Sequence, residues 1–264
     1  AAPSLLTVAG SPEFGEAPEK GSRRDQLLIG FTEPWLFNTP TSFSFRVFTL
    51  HQQYFDSFDF HRDSVSIRLG RRLKKPAYAS VSLAYQLRRE RYSDFSPTYI
   101  DRQDDPRFSP RTTSSLELTF RRDTRDFPQF PTKGTLLTYR PEIATSAAGG
   151  NVDFHRHEVT YNYYRPSWWK FVISAEAKVA FIDGFSEVDD ENISIWDRFS
   201  PGGVDFWDGQ VRGYTDRSLG PRGPNGFPLG GTSMMVFNLE YRFPISEQSV
   251  IGLLFADAGN AWQD

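Results

Sequence analysis

The side chains best suited to bond-making chemistry are the four histidines of this 264-residue chain. His155 and His157 are two residues apart, so on a strand they share one face and could in principle bind a metal ion. Their neighbours Phe154, Arg156 and Glu158 suggest no third ligand, and the sequence contains no cysteine. We therefore predict that the protein is not an enzyme, with no catalytic residue, no metal site and no cofactor.

A second set of chemically capable residues surrounds Arg212, in the segment 199–222 (FSPGGVDFWDGQVRGYTDRSLGPR). Gly and Pro are too frequent there for regular structure, whereas the spacing of aromatic and charged residues indicates a structured loop. The Arg212 guanidinium offers five donors in a rigid fork, which suits carboxylates. Glu240 and Asp257 lie on two later predicted strands, so Arg212 either pairs with them or remains a solvated loop arginine.

The elements that must position these residues are strands, because the dominant hydrophobic period is two. Polar and apolar residues alternate in 80–87 (SVSLAYQL), 174–181 (SAEAKVAF) and 237–243 (FNLEYRF). Short turns alternate with longer polar loops, the longest being 184–231. The pattern predicts about ten strands, at 26–37, 41–54, 63–73, 78–93, 112–123, 134–145, 152–165, 169–183, 232–244 and 248–262.

Composition excludes a helical membrane protein, since the longest purely apolar run, 250–256, is far shorter than the ~20 residues of a spanning helix. A transmembrane antiparallel β-barrel is compatible with the low mean hydropathy of -0.50, because only every second strand residue is apolar. Long strands, turns that alternate short and long, and Tyr or Trp at strand ends favour this all-β fold. With 30 Lys and Arg against 33 Asp and Glu, bulk charge does not favour nucleic-acid binding.

Four segments in collinear order resemble the outer-membrane β-barrel assembly factors, BamA and its relatives. The first, Val211-Arg212-Gly213-Tyr214, matches the family's VRGF/Y loop motif. The others lie at 31–37 (FTEPWLF), at 123–134 (DTRDFPQFPTKG), and at 238–244 with 255–262 (NLEYRFP with FADAGNAW). The sequence is similar to the family over about residues 26–264.

The resemblance implies a sixteen-stranded family barrel, of which about ten strands are present here, with the long loop folded into its lumen. It implies that Arg212 inserts into the lumen and meets Glu240 and Asp257. Phe255 would pack beside them. The other members of this implied loop anchor are Val211, Gly213, which would permit close backbone approach, and Tyr214, which would wedge the loop.

The sequence predicts two regions. Residues 1–25 are interpreted as a linker segment outside the barrel, with residues 1–14 derived from an expression vector. Residues 26–264 are expected to form a partial transmembrane barrel with the inserted loop 184–231. Because the strands of the family's lateral seam have no counterpart in this reading, we expect the sequence to be part of a longer chain.

The resemblance implies the core of the machinery that inserts and folds β-barrel proteins in the bacterial outer membrane. The implied partners are the lipid bilayer, unfolded outer-membrane β-barrel clients and the lipoproteins of the assembly complex. Three alternatives stay open. They are a related translocation pore of the two-partner secretion or TamA-like type, a passive porin, and a soluble carbohydrate-binding sandwich.

Overall fold

The fold is a single antiparallel sheet of eleven strands, each paired with the next strand in the chain. The computed structural model describes residues 5–15, 22–54, 58–97, 100, 104–186, 193–204, 208–223, 226, 228–246 and 250–263. The strands are β1 (Leu5–Gly15), β2 (Ser22–Glu33), β3 (Thr41–Tyr54), β4 (Phe58–Arg72), β5 (Ala79–Ser93), β6 (Arg111–Asp123), β7 (Gly134–Ala144), β8 (Phe154–Pro166), β9 (Val172–Gly184), β10 (Ser233–Ser246) and β11 (Val250–Trp262).

The ten predicted strands are confirmed as β2 to β11, and their bounds differ most at the start of β4. This strand begins at Phe58 rather than at the predicted residue 63. Phe58 and Phe60 are buried on the inner face, whereas Val65 and Ile67 are exposed on the outer face. The apolar residues therefore lie on the inner face at the start of β4 and on the outer face further along. Because of this change, the alternation pattern does not predict residues 58–62 as part of the strand.

β1 corrects the expectation that residues 1–25 lie outside the barrel. The strand pairs with β2 along its whole length, from Leu5 opposite Thr32 to Gly15 opposite Ser22. In the described sheet β1 has β2 as its one neighbour, and an edge strand tolerates the proline of Gly10-Ser11-Pro12. The described part of the segment therefore belongs to the sheet; the vector origin of residues 1–14 stays a prediction.

The outer face of the sheet is apolar and exposed. Val65, Ile67 and Leu69 on β4 are 40–46% exposed, and Leu83 and Leu87 continue the surface on β5. A water-soluble sandwich would bury such a face against a second layer. The exposure is typical of a sheet whose outer face meets lipid, as the predicted transmembrane β-barrel requires.

The inner face curves around the loop between β9 and β10. Arg88 on β5 hydrogen-bonds to Asp197 of this loop, and Asp257 on β11 hydrogen-bonds to Arg212 of the same loop. Strands six positions apart in the sheet reach one loop only if the sheet curls around it. Within the described pairings β1 and β11 each have one neighbour, so the curled sheet is open between them. No helix among the described residues is long and apolar enough to cross a membrane.

Two apolar clusters connect the loop to the inner face. The first includes Phe154, Ile182 and Val236 of the strands together with Ile193, Phe199 and Val211 of the loop. The second joins Leu50, Phe58, Phe60, Tyr92 and Phe108 to Ile195 of the loop. Since residues 193 and 195 point into different clusters, this short stretch of loop is held from two sides of the lumen.

Candidate functional site

A short antiparallel bridge between Phe199 and Gly231 joins the two arms of the loop just before the loop returns to β10. The two backbone hydrogen bonds measure 2.9 and 2.8 Å. Phe199 is completely buried, and the Arg156 guanidinium lies 4.7 Å from the centre of its ring. This cation–π contact and the bridge join the two arms of the loop to each other and to β8.

A second bridge, between Gly203 and Val211, folds the loop back on itself. The backbone N–H of Val211 donates to the Gly203 carbonyl at 3.1 Å, and that of Val204 donates to Asp216 Oδ1 at 2.8 Å. Gly203 has a φ of 61°, and an added Cβ would lie 1.7 Å from Asp216 Oδ1. Only glycine fits there, and the tight fold places Arg212 immediately after the bridge.

Arg212 meets both carboxylates that the motif implied. Its Nε and Nη2 donate to the two oxygens of Asp257 at 2.7 and 2.8 Å, and its Nη1 donates to Glu240 Oε1 at 2.7 Å. The Arg212 backbone N–H also donates to Asp257 Oδ2 at 2.9 Å. Hydrogen bonds to Asp257 and then to Glu240 raise the pKa of Arg212, against the effect of burial, so the guanidinium stays charged.

The surroundings of this pair complete a small network on β10 and β11. The guanidinium of Arg212 lies 3.8 Å from the centre of the Phe255 ring. Glu240 uses its second oxygen to accept from Arg242 Nε at 2.7 Å. Asn238 donates from Nδ2 to the carbonyl of Gln210 at 2.7 Å, which holds the backbone just before the arginine. Residues 238, 240, 255 and 257 of the two strands therefore form one continuous surface that contacts Gln210 and Arg212 of the loop.

Of the remaining motif residues, Gly213 and Tyr214 behave differently from the expectation. Val211 is buried in the first apolar cluster. A Cβ on Gly213 would meet nothing within 4 Å, so the expected close backbone approach is wrong; its φ of 89° is what favours glycine. Tyr214 is 57% exposed, so its ring does not wedge the loop into the described wall.

A second polar network, on the other side of the lumen, was not found from the sequence. Asp197 of the loop accepts two hydrogen bonds from Arg88 Nη2, at 2.6 and 2.7 Å. Arg88 also lies 3.3 Å from Glu90, whose other cationic neighbour is Arg62 at 2.7 Å. All of Arg88, Glu90 and Asp197 have side chains at most 12% exposed. One sequence feature could have indicated this network. Arg88 and Glu90 are charged residues at successive inward positions of β5, and they are followed by the buried Tyr92.

His155 and His157 lie on the outer face of β8, among aromatic side chains. His157 stacks on Phe181 with ring centres 4.7 Å apart, and its Nδ1 is 2.8 Å from the Tyr139 hydroxyl. The ring of His155 meets those of His157 and Phe185. These contacts give both rings a packing role at the end of the strand.

Solved structures share this fold. The crystal structure of BamA from Haemophilus ducreyi lacking POTRA domains 1–3 superposes with a TM-score of 0.74 at 17% identity, covering 98% of this chain and 52% of that one. CdiB from Acinetobacter baumannii gives a TM-score of 0.54 at 14% identity, covering 99% and 43%. Both similarities concern the fold.

Relatives in sequence lead to the same family. Outer membrane protein assembly factor BamA of Nitratidesulfovibrio vulgaris is 28% identical over 222 residues, which is 83% of this chain and 26% of that protein. A SAM50-like protein of Schizosaccharomyces pombe is 29% identical over 156 residues, 55% of this chain and 30% of that one. The chain thus spans less than a third of these relatives. The model of the Omp85 superfamily domain matches residues 12–264, and with the resemblance to BamA and its relatives confirmed, the chain belongs to the Omp85 superfamily.

Proposed function

We propose that this chain is the membrane-embedded barrel part of a bacterial outer-membrane assembly factor, which inserts and folds other β-barrel proteins. The observation that carries the proposal is the contact of Arg212 with Glu240 and Asp257 inside the sheet. A loop fixed in this way keeps the lumen filled and the strands β10 and β11 in register. The work is physical rather than catalytic, so no bond-making residue, metal or cofactor takes part in insertion.

The partners in this proposal follow from the surfaces of the sheet. The exposed apolar outer face meets the lipid bilayer. Unfolded β-barrel clients are the substrates, since strands with unpaired backbone groups recruit further strands by edge pairing. Lipoproteins of an assembly complex would bind outside the lipid-facing band. Membership of the Omp85 superfamily and the assembly-factor name of the bacterial relative support this placement in the outer membrane.

A passive porin is a poorer fit to the lumen. Ile193, Ile195 and Val211 of the loop are buried against the inner face, and Asp197 is paired there with Arg88. A filled lumen opposes the free passage of solutes that defines a porin. Low ion conductance of the purified protein in a planar bilayer is the expected result, whereas a large steady conductance would favour the porin.

The assembly role can be tested with the full-length protein in liposomes that receive an unfolded β-barrel client. The wild type should speed the appearance of heat-resistant, protease-protected client. Arg212→Ala should reduce this rate because it leaves the buried Asp257 carboxylate without its guanidinium, and Asp257→Ala should reduce it because it removes the contact that fixes the backbone and side chain of Arg212. Arg222→Ala, an exposed arginine of the same loop bonded to backbone carbonyls, is the matched control and should retain the rate. Equal client folding with and without the wild-type protein would refute the proposal.

A further inference from the structure

A cluster of two histidines and one aspartate lies on the outer face of β3 and β4, away from the lumen. Outward positions of the two strands pair in register: Val47 with Val65, then Thr49 with Asp63, His51 with His61 and Gln53 with Asp59. The outer face therefore changes from apolar to polar between the first and second pairs. The cluster lies beyond the apolar band, at the end of the sheet from which the loop 184–231 emerges, where aqueous ions can reach it.

The three side chains are close enough to share one ion. The rings of His51 and His61 stack with centres 4.1 Å apart and an interplanar angle of 13°. His51 Nε2 lies 3.3 Å from Asp59 Oδ2. One ligand atom from each of His51, Asp59 and His61 lies within 4.8 Å of the other two. Each residue is only partly buried, so an ion could enter without opening the sheet.

We propose that His51, Asp59 and His61 bind one divalent transition-metal cation, with Zn²⁺ as the best fit. Two imidazole nitrogens and one carboxylate oxygen form a typical three-residue zinc set that leaves a position for water. Nitrogen ligands disfavour Ca²⁺ and Mg²⁺, which take oxygen. This site is independent of the proposed assembly function, and it goes beyond the sequence prediction of no metal site.

The structure also supplies a residue that orients the carboxylate. Gln53 donates from Nε2 to Asp59 Oδ2 at 3.0 Å, and it lies directly opposite Asp59 in the strand register. Such outer contacts commonly fix ligating carboxylates. A bound ion would be coordinated by both β3 and β4 close to their connection at 55–57. It would therefore cross-link the two strands at this end of the hairpin.

The test uses the full-length protein in detergent micelles, stripped with a chelator and titrated with Zn²⁺ alone at about pH 7.5, where free histidine is largely neutral. We expect one Zn²⁺ per chain in calorimetry. His51→Asn, Asp59→Asn and His61→Asn should each weaken the affinity by about 10-fold or more. The double variant His155→Asn/His157→Asn removes two outer-face histidines of β8 and should leave the affinity unchanged.

A spectroscopic measurement separates this site from unspecific binding. With Cu²⁺ as probe, electron paramagnetic resonance should show coupling to two imidazole nitrogens in the wild type and to none in His51→Asn/His61→Asn. Heat-resistant migration on a gel checks that each variant folds. The proposal is overturned if the wild type binds no Zn²⁺, if the double variant at 51 and 61 keeps the affinity, or if the control variant loses it equally.

Discussion

Asp257 accepts hydrogen bonds from three nitrogen atoms of Arg212: the backbone N at 2.9 Å, Nε at 2.7 Å and Nη2 at 2.8 Å. One carboxylate thus fixes both the main chain and the side chain of the loop at the same point. The two side chains are 2% and 14% exposed for Asp257 and Arg212 respectively. Because the pair is largely removed from water, the Asp257 carboxylate depends on Arg212 for its compensation, whereas Arg212 is also paired with Glu240.

We expect Asp257→Ala to destabilise the folded barrel by about 3–5 kcal/mol, the usual cost of leaving a buried charge without its partner. Glu240 remains beside Arg212 and should keep the loss toward the lower value. Urea unfolding in detergent micelles, followed by heat-resistant migration on a gel, measures the change. Glu33→Ala near a turn is a control and should stay within about 1 kcal/mol. Identical midpoints for wild type and Asp257→Ala would contradict the expectation.

Asp197 and Arg88 should form a second, separate attachment of the loop. Asp197→Asn weakens the 2.6 and 2.7 Å contacts of the buried Arg88, which stays near Glu90, so we expect a loss toward the lower end of about 3–5 kcal/mol. The double variant Asp197→Asn/Asp257→Ala tests their independence in the same urea assay. Additive losses, within about 0.5 kcal/mol, are expected for contacts on opposite sides of the lumen. A double loss no larger than either single loss would show one cooperative attachment instead.

The first attachment could be predicted from sequence and the second could not, for a physical reason. Arg212 lies in a four-residue motif, and its partners lie in segments that resemble the same family. Asp197 and Arg88 are 109 residues apart and belong to no motif. Their meeting depends on how far the sheet curls and where residues 193–198 cross the lumen, and neither quantity is encoded in a local pattern.

The strands show the same contrast. Some bounds follow from the local alternation of polar and apolar residues, and others depend on tertiary contacts. β3 matches its predicted range because polar and apolar residues alternate clearly over its first half, from Ser42 to Val47, and its two ends lie at the predicted turn and loop. β1 lies outside the predicted strands because residues 1–14 are interpreted from the sequence as vector-derived, whereas the pairing of β1 with β2 is tertiary information that no local pattern carries. β4 was predicted five residues short because Phe58 and Phe60 face the loop rather than lipid.

The two loop glycines should differ in their tolerance of alanine. At Gly213 the φ of 89° opposes a Cβ but space is open, so Gly213→Ala should cost about 1–2 kcal/mol. At Gly203 a Cβ would overlap Asp216, so Gly203→Ala should cost more and should expose the loop to protease. Limited proteolysis with mass spectrometry compares the two variants. Faster cleavage of Gly213→Ala than of Gly203→Ala would be inconsistent with this geometry.

The turn between β6 and β7 should loosen in acid. The Thr132 hydroxyl donates to Asp126, as do the backbone N–H groups of Thr132, Lys133 and Phe127, and these bonds hold the pKa of Asp126 below its usual range. Since the folded-state pKa is lowered, the stabilisation is present above the unfolded value of about 3.9 and is lost as pH falls through the folded value.

Hydrogen exchange of the Thr132 amide as a function of pH measures this effect, after correction for the intrinsic exchange rate. Protection should fall in acid in the wild type. Asp126→Asn should show weaker protection with little of the pH dependence, because an amide is not titrated. Asp104→Asn, in another exposed loop, serves as the control. Equal pH dependence in Asp126→Asn and wild type would rule out Asp126 as its source.

The orientation of the sheet faces predicts opposite responses at two positions of β5 only three residues apart. Leu83 is exposed on the apolar outer face, whereas Gln86 lies on the inner face. Leu83→Lys would place a charge in hydrocarbon and should cost about 2–4 kcal/mol in lipid bilayers if its depth is near the midplane. Gln86→Lys should cost less, because the inner face already accommodates charged side chains such as Arg88 and Glu90. Urea unfolding in liposomes measures both variants, and a larger loss for Gln86→Lys would reverse the assignment of lipid-facing and lumen-facing sides.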